Sequence, residues 1–70
     1  MTNIKTNLKE VRVFLGLSQG ALAKKAGFKP SAISHFETGT REPSLPNLVK
    51  LAKALGVSTD RLLFGVGDEK

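Results

Sequence analysis

Cysteine, tryptophan and tyrosine are absent from the 70 residues, and phenylalanine, present four times, is the only aromatic residue type. Without cysteine, neither a disulfide framework nor a thiolate metal site can hold so short a chain together, so apolar packing must do it. No apolar run approaches the length that crosses a bilayer, and the opening MTNIKTN lacks the apolar stretch of a signal peptide; a reducing, cytoplasmic location is expected. Strict alternation of apolar and polar residues is missing as well, which removes a β-sheet reading, and there is no internal repeat. The length leaves room for one core only, and a hydrophobic share of 40% is enough to fill it.

Acidic residues are few: six Asp and Glu stand against eleven Lys and Arg, for a net charge of +5 and a pI near 10.0. That balance attracts polyanions, either nucleic acid or an anionic membrane, and charge does not choose between them. Catalytic machinery is missing. His35 is the only histidine, its neighbour Ser34 points about 100° away around a helix, and no Asp lies near to orient the imidazole. Paired carboxylates, metal-ligand spacings and phosphate-binding loops are equally absent, so the chain reads as a non-enzyme that needs neither metal nor cofactor.

What is present is helical periodicity. Ile4, Leu8, Val11 and Leu15 recur at steps of four and three and form one stripe, with Lys5, Lys9 and Val13 facing away, Asn3 as N-cap and Gly16 as the stop. Ser18 caps a second helix of about two turns, through Gln19, Ala21, Leu22, Ala23 and Ala26 to Gly27. Pro30, suited to a first helical turn because it has no N–H to leave unpaired, opens a third helix that runs to Thr38 and Gly39. Ser44 caps a fourth, in which Leu45, Leu48, Val49, Ala52 and Leu55 form a broad apolar face ending at Gly56. Ser58 starts a fifth, with Leu62 and Leu63 inward. The expectation is an all-α, compact five-helix domain over residues 1–66 with a short tail over 67–70.

Helices two and three are joined by about three residues containing glycine, the spacing of a helix-turn-helix rather than of an antiparallel hairpin. Ala23 is small where the two helices approach. Leu22, Ala26, Phe28, Ile33 and Phe36 supply the apolar joint. The stretch LSQGALAKKAGFKPSAISHFETG, followed by PSLPNLVKLAKALGVSTDRLL, resembles the DNA-binding domains of the phage repressor and Cro (XRE) family over about residues 4 to 64. The resemblance implies a five-helix fold with helix three in the major groove of double-stranded DNA, and binding to palindromic operators as a symmetric dimer. It implies a transcription regulator of the repressor kind, acting on the nucleoid.

By position, the resemblance gives Gln19 a backbone phosphate to bond and the recognition helix to brace, and gives Arg12 and Glu37 an ion bridge between helices one and three. It places Pro30, Ser31, Ser34 and His35 against bases. Helical geometry supports part of this independently: with Ile33, Phe36 and Glu37 inward, Ser31, Ser34, His35 and Thr38 share the opposite face. Pro30 departs from the Gln or Ser of many relatives and offers only ring contact, for instance with a thymine methyl. Lys29 takes an N-cap site better suited to Ser or Thr, where its ammonium can reach phosphate or guanine or simply be solvated. Phosphate contacts are expected from Ser18 and Gln19, from Thr38, Thr40 and Arg41, and from Ser44 and Asn47 at the start of helix four. Lys24 and Lys25 read as a solvated face in preference to phosphate contacts, and Lys5, Lys9, Lys50 and Lys53 as solvated faces.

In this family self-association uses the segment around helix five, which makes Val57, Ser58, Arg61 and Phe64 the candidates for a dimer seam, with core closure as the other reading of Phe64. Val13 and Phe14, where relatives carry polar residues, are either scattered surface hydrophobes or a patch for a protein partner. The rival function is an antitoxin-like or other protein-interaction module of the same fold, with DNA binding secondary or lost.

Overall fold

A computed structural model describes residues 4–65 of the chain, with the side chains of 7–65. The expectations for Asn3, for the side chains of Ile4 and Lys5, and for the 67–70 tail lie outside the described residues. Five helices follow in order: α1 (Ile4–Phe14), α2 (Gln19–Ala26), α3 (Pro30–Thr38), α4 (Leu45–Leu55) and α5 (Thr59–Phe64). Among the described residues there is no strand. No helix there is long and apolar enough to cross a membrane.

The starts and stops follow local chemistry. Ser18, Ser44 and Ser58 each turn a hydroxyl oxygen onto a backbone N–H three residues on, those of Ala21, Asn47 and Arg61. This satisfies one of the donors that every helix start leaves open. Three helices end by one device. After α2, Gly27 takes a left-handed φ of 84°, which a side chain would disfavour. Both Gly27 N and Phe28 N then donate to Ala23 O at 2.8 Å. After α1, Gly16 N donates to Val13 O and Leu17 N to Arg12 O; after α4, Gly56 N donates to Lys53 O and Val57 N to Ala52 O. In this motif the residue after the glycine folds back on the helix it has left. Leu17, Phe28 and Val57 accordingly all pack against the core.

That device corrects the stripe read along α1. Helix α1 ends at Phe14, and Leu15, in the turn, is 45% exposed while Leu17 takes the inward place. The apolar face of α4 is narrower than expected too. Leu48, Leu51, Ala52 and Leu55 face the core at the i, i+3, i+4, i+7 spacing, whereas Leu45 is 69% and Val49 37% exposed. Leu45 is the first residue of α4, one turn before Leu48, and Val49 lies one 100° step off the stripe. In α5, Leu62 is fully buried and Leu63 partly so, while Phe64 is half exposed and does not close the core.

The core joins Leu8 and Val11 of α1, Leu22 and Ala23 of α2, Ile33 and Phe36 of α3, the α4 set and Leu62. Helix α1 packs on α3 and α5, and α2 on α3 and α4. Asn7 is a polar side chain within this core; its Nδ2 donates to Leu62 O at 2.8 Å and ties α1 to α5. A buried amide needs such a partner.

Candidate nucleic-acid interface

The α2–α3 unit is fixed from behind by a compact polar network. Arg12 reaches from α1 to Glu37 near the end of α3, with Nε donating to Oε2 at 2.6 Å and Nη2 to Oε1 at 3.0 Å. Its Nη1 donates to Leu17 O at 2.7 Å. The two side chains are only 11% and 4% exposed. A two-point guanidinium–carboxylate contact fixes orientation as well as distance. Hydrogen bonding to Glu37 holds the Arg12 guanidinium protonated above the usual arginine range, against the opposing effect of burial. Gln19, at the first position of α2, adds a third bond through Nε2 to Glu37 Oε1 at 3.0 Å. One carboxylate thus joins α1, the start of α2 and the end of α3.

The side of α3 away from this network carries Ser31, His35 and Thr38, all exposed, and Ser34, half-buried. Lys29 and Pro30 are exposed at its start. Lys29 holds the N-cap backbone conformation but makes no side-chain cap bond. Thr38 is less free than its position implies. Its hydroxyl donates to His35 O at 3.3 Å and lies 2.9 Å from Thr40 Oγ1, and Thr40 N donates to it at 3.4 Å. Arg41 N also donates to His35 O, at 3.2 Å. The loop therefore folds back onto the last turn of α3, and Thr38 serves as its brace.

Beside that loop a cleft of about 250 Å³ brings Arg41, Ser44 and Asn47 together over Phe28 and Phe36. The two rings meet edge to face at 5.7 Å, a favourable packing of their quadrupoles. Lys50 extends its ammonium over the Phe28 ring at 5.8 Å from the centroid, so this lysine has a packing role beyond solvation. Glu42 lines the same cleft, and its negative charge works against an anion there. The sequence reading had no place for Glu42. Ser18 and Gln19 stand at the start of α2, apart from the cleft, with Gln19 half-buried and Ser18 exposed.

The residues assigned to a seam have intramolecular roles as well. Val57 is partly buried against the core, Ser58 caps α5, and Arg61 Nη2 lies 3.6 Å from Glu10 Oε1. Ser58 and Phe64, the latter 53% exposed, are left open to solvent. Val13 and Phe14 are 57% and 86% exposed. Among the described residues no three His, Cys, Asp or Glu side chains gather as a metal site would need.

Comparison with known proteins gives this arrangement a context. The family described as Helix-turn-helix matches residues 8–62. An uncharacterized HTH-type transcriptional regulator, YqaE of Bacillus subtilis, is 39% identical over 64 residues, which are 91% of this chain and 55% of that protein. The chain thus spans about half the length of that relative. Among solved structures, the P22 c2 repressor in complex with a synthetic operator superposes with a TM-score of 0.84 at 36% identity, covering 94% of this chain and all of that one. SinR, described as the master regulator for biofilm formation and solved in complex with DNA, superposes with a TM-score of 0.81 at 34% identity, covering 86% of this chain and 97% of that one.

Proposed function

The chain belongs to the helix-turn-helix family, and on that premise we propose that it is a sequence-specific transcription regulator of the repressor kind that sets α3 in the major groove of double-stranded DNA. The observation that carries this reading is the outward side of α3. Small polar side chains there lie open on a helix whose inner side is locked by Arg12, Glu37 and Gln19. Hydroxyl and imidazole groups can exchange hydrogen bonds with base edges, and a locked helix presents them in one orientation. Ser31, Ser34 and His35 are the readers, and Lys29 and Pro30 meet the flanking bases. Ser18, Gln19, Thr40, Arg41, Ser44 and Asn47 hold the backbone, with Thr38 acting mainly through the loop. The P22 c2 repressor, solved in complex with an operator, and SinR, solved in complex with DNA, support DNA as the partner.

As a dimer through Val57, Ser58, Arg61 and Phe64, the protein sets two copies of α3 about 34 Å apart, one turn of DNA, and reads a palindrome. Phe64, the more exposed of the two apolar members, is the apolar anchor of that seam. Such a regulator works in the cytoplasm, on the nucleoid. Selection of bound duplexes from a random pool tests the proposal: it is expected to return two inverted half-sites about one helical turn apart. A pool that stays random would overturn it.

Lys29 separates fold from function. Lys29→Ser supplies the missing cap and is expected to stabilise the domain by about 1 kcal/mol, read as a higher urea midpoint. The same change removes a cation from the interface and is expected to weaken binding to the selected duplex several-fold. Unchanged affinity would place Lys29 off the DNA.

A further inference from the structure

We propose that the groove between the α1–α2 turn and the C-terminal end of α4 is a second binding surface, one that takes a short apolar segment of a partner protein bearing acidic side chains. The groove is a shallow, open depression of about 360 Å³ lined by Leu15, Leu17, Ala54 and Leu55 and by Lys25 and Lys53, both exposed. It shares no residue with the outward side of α3 or with the Arg41 cleft. Its existence follows from the way α1 ends. The bonds that close the helix fold Leu17 back onto the core and leave Leu15 outside it, after Val13 and Phe14, so three consecutive apolar residues face solvent.

Charge selects the occupant. No acidic residue lines the groove, and among the described residues neither lysine has an ion-pair partner. Two ammonium groups over apolar walls favour carboxylates placed beside aliphatic anchors, the pattern of an amphipathic acidic helix lying in a groove. A duplex fits less well, because apart from the two ammonium groups the groove is lined by Leu15, Leu17, Ala54 and Leu55, whose side chains offer phosphate no donor. The volume lies at the lower end of the roughly 300–1,000 Å³ usual for bound ligands, enough for a few side chains rather than a domain face.

The test uses the ¹⁵N-labelled full chain and three synthetic helical peptides of about 14 residues, four turns each. One alternates Leu and Glu faces, the second replaces Glu by Lys, and the third replaces Leu by Ser. The Leu–Glu peptide is expected to move the amide resonances of residues 15–17, 25 and 53–56 saturably, and the other two are not. Reversing the rim with K25E/K53E is expected to weaken the Leu–Glu peptide by about tenfold or more and to admit the Leu–Lys peptide. Both lysines are exposed, and K25Q/K53Q, expected to lose the Leu–Glu peptide without gaining the other, serves if the reversed variant does not fold. The proposal is overturned by shifts confined to α3 and the Arg41 loop, by an affinity that ignores the rim charges, or by groove resonances that move with protein concentration alone, which would make a second copy the occupant.

Discussion

Arg12→Ala is expected to cost the domain about 3–5 kcal/mol, a melting temperature lower by roughly 15–30 °C, because it strands the Glu37 carboxylate in the interior. That carboxylate is 4% exposed and would keep only Gln19 as a partner among the described residues. A 70-residue chain typically has on the order of 3.5–10 kcal/mol to lose, so the variant sits at the edge of unfolding at room temperature. Glu37→Ala should be comparably harmful, leaving the guanidinium with Leu17 O alone. Replacing both partners with methionine removes the stranded charge and is expected to recover most of the loss. Thermal melts of the four proteins decide it. A double variant no more stable than the singles would show that the network contributes by some other route than pairing a buried charge.

The pH dependence of this pair has a definite sign. Hydrogen bonding to Glu37 raises the Arg12 pKa above its ordinary value in the folded state. For a cation whose folded pKa is raised, the added stability is complete below the unfolded pKa and is lost only as pH climbs above it. Arginine titrates far above neutral pH, so Arg12 contributes no slope to stability between about pH 6 and 9.

The second large effect concerns discrimination. Ser31→Ala and His35→Ala are each expected to reduce the preference for the selected duplex over a random one by about 1–3 kcal/mol, roughly 5- to 150-fold, while leaving affinity for the random duplex nearly unchanged. Arg41→Ala is expected to weaken both duplexes alike and to lower the salt slope by about one. The contrast arises because the first two side chains face outward from α3, whereas Arg41 stands in the cleft beside Ser44 and Asn47. Competition titrations with paired duplexes measure it. Equal losses on every sequence for all three variants would contradict base reading by α3.

Much of the architecture is legible in the sequence because its punctuation is local. Serines at 18, 44 and 58 and glycines at 16, 27, 39 and 56 bound the helices; the serines and Gly16, Gly27 and Gly56 act through bonds to residues a few positions away, and Gly39 through its left-handed backbone. Side-chain directions beyond those stops depend on how the chain turns. Leu15 fits a helical stripe by count but falls after the last turn, and the inward position passes to Leu17. A Gly followed by Leu, Phe or Val marks this return, at 16–17, 27–28 and 56–57. Leu51 belongs to the core by its spacing from Leu48 and Leu55, and the neighbouring Val49 obscured it. Asn7 lies among apolar positions of α1, where a polar residue needs a buried partner; that partner, Leu62 O, is 55 residues away and has no local signature.

The interface divides in the same way. Ser31, Ser34 and His35 share a face by the 100° step alone. Arg12 and Glu37, 25 residues apart, were assigned to each other through a family resemblance, and only the fold brings them to 2.6 Å. Thr38 was counted as a free contact because its bonds to His35 and Thr40 depend on how the loop folds back. Glu42 lines the cleft that Arg41 shares, a proximity that depends on the loop fold and has no local signature.

The proposal that α3 and the flanking helix starts lie on DNA is tested most directly by measuring the dissociation constant for the selected and the random duplex across a range of salt. Each phosphate neutralised by Lys29, Arg41 and their neighbours steepens the dependence by about 0.9 in log K against log salt, so a slope of several is expected on both duplexes. The selected duplex is expected to stay tighter by about 10³-fold or more at every salt. Binding that is absent, or that does not weaken as salt rises, would contradict the account.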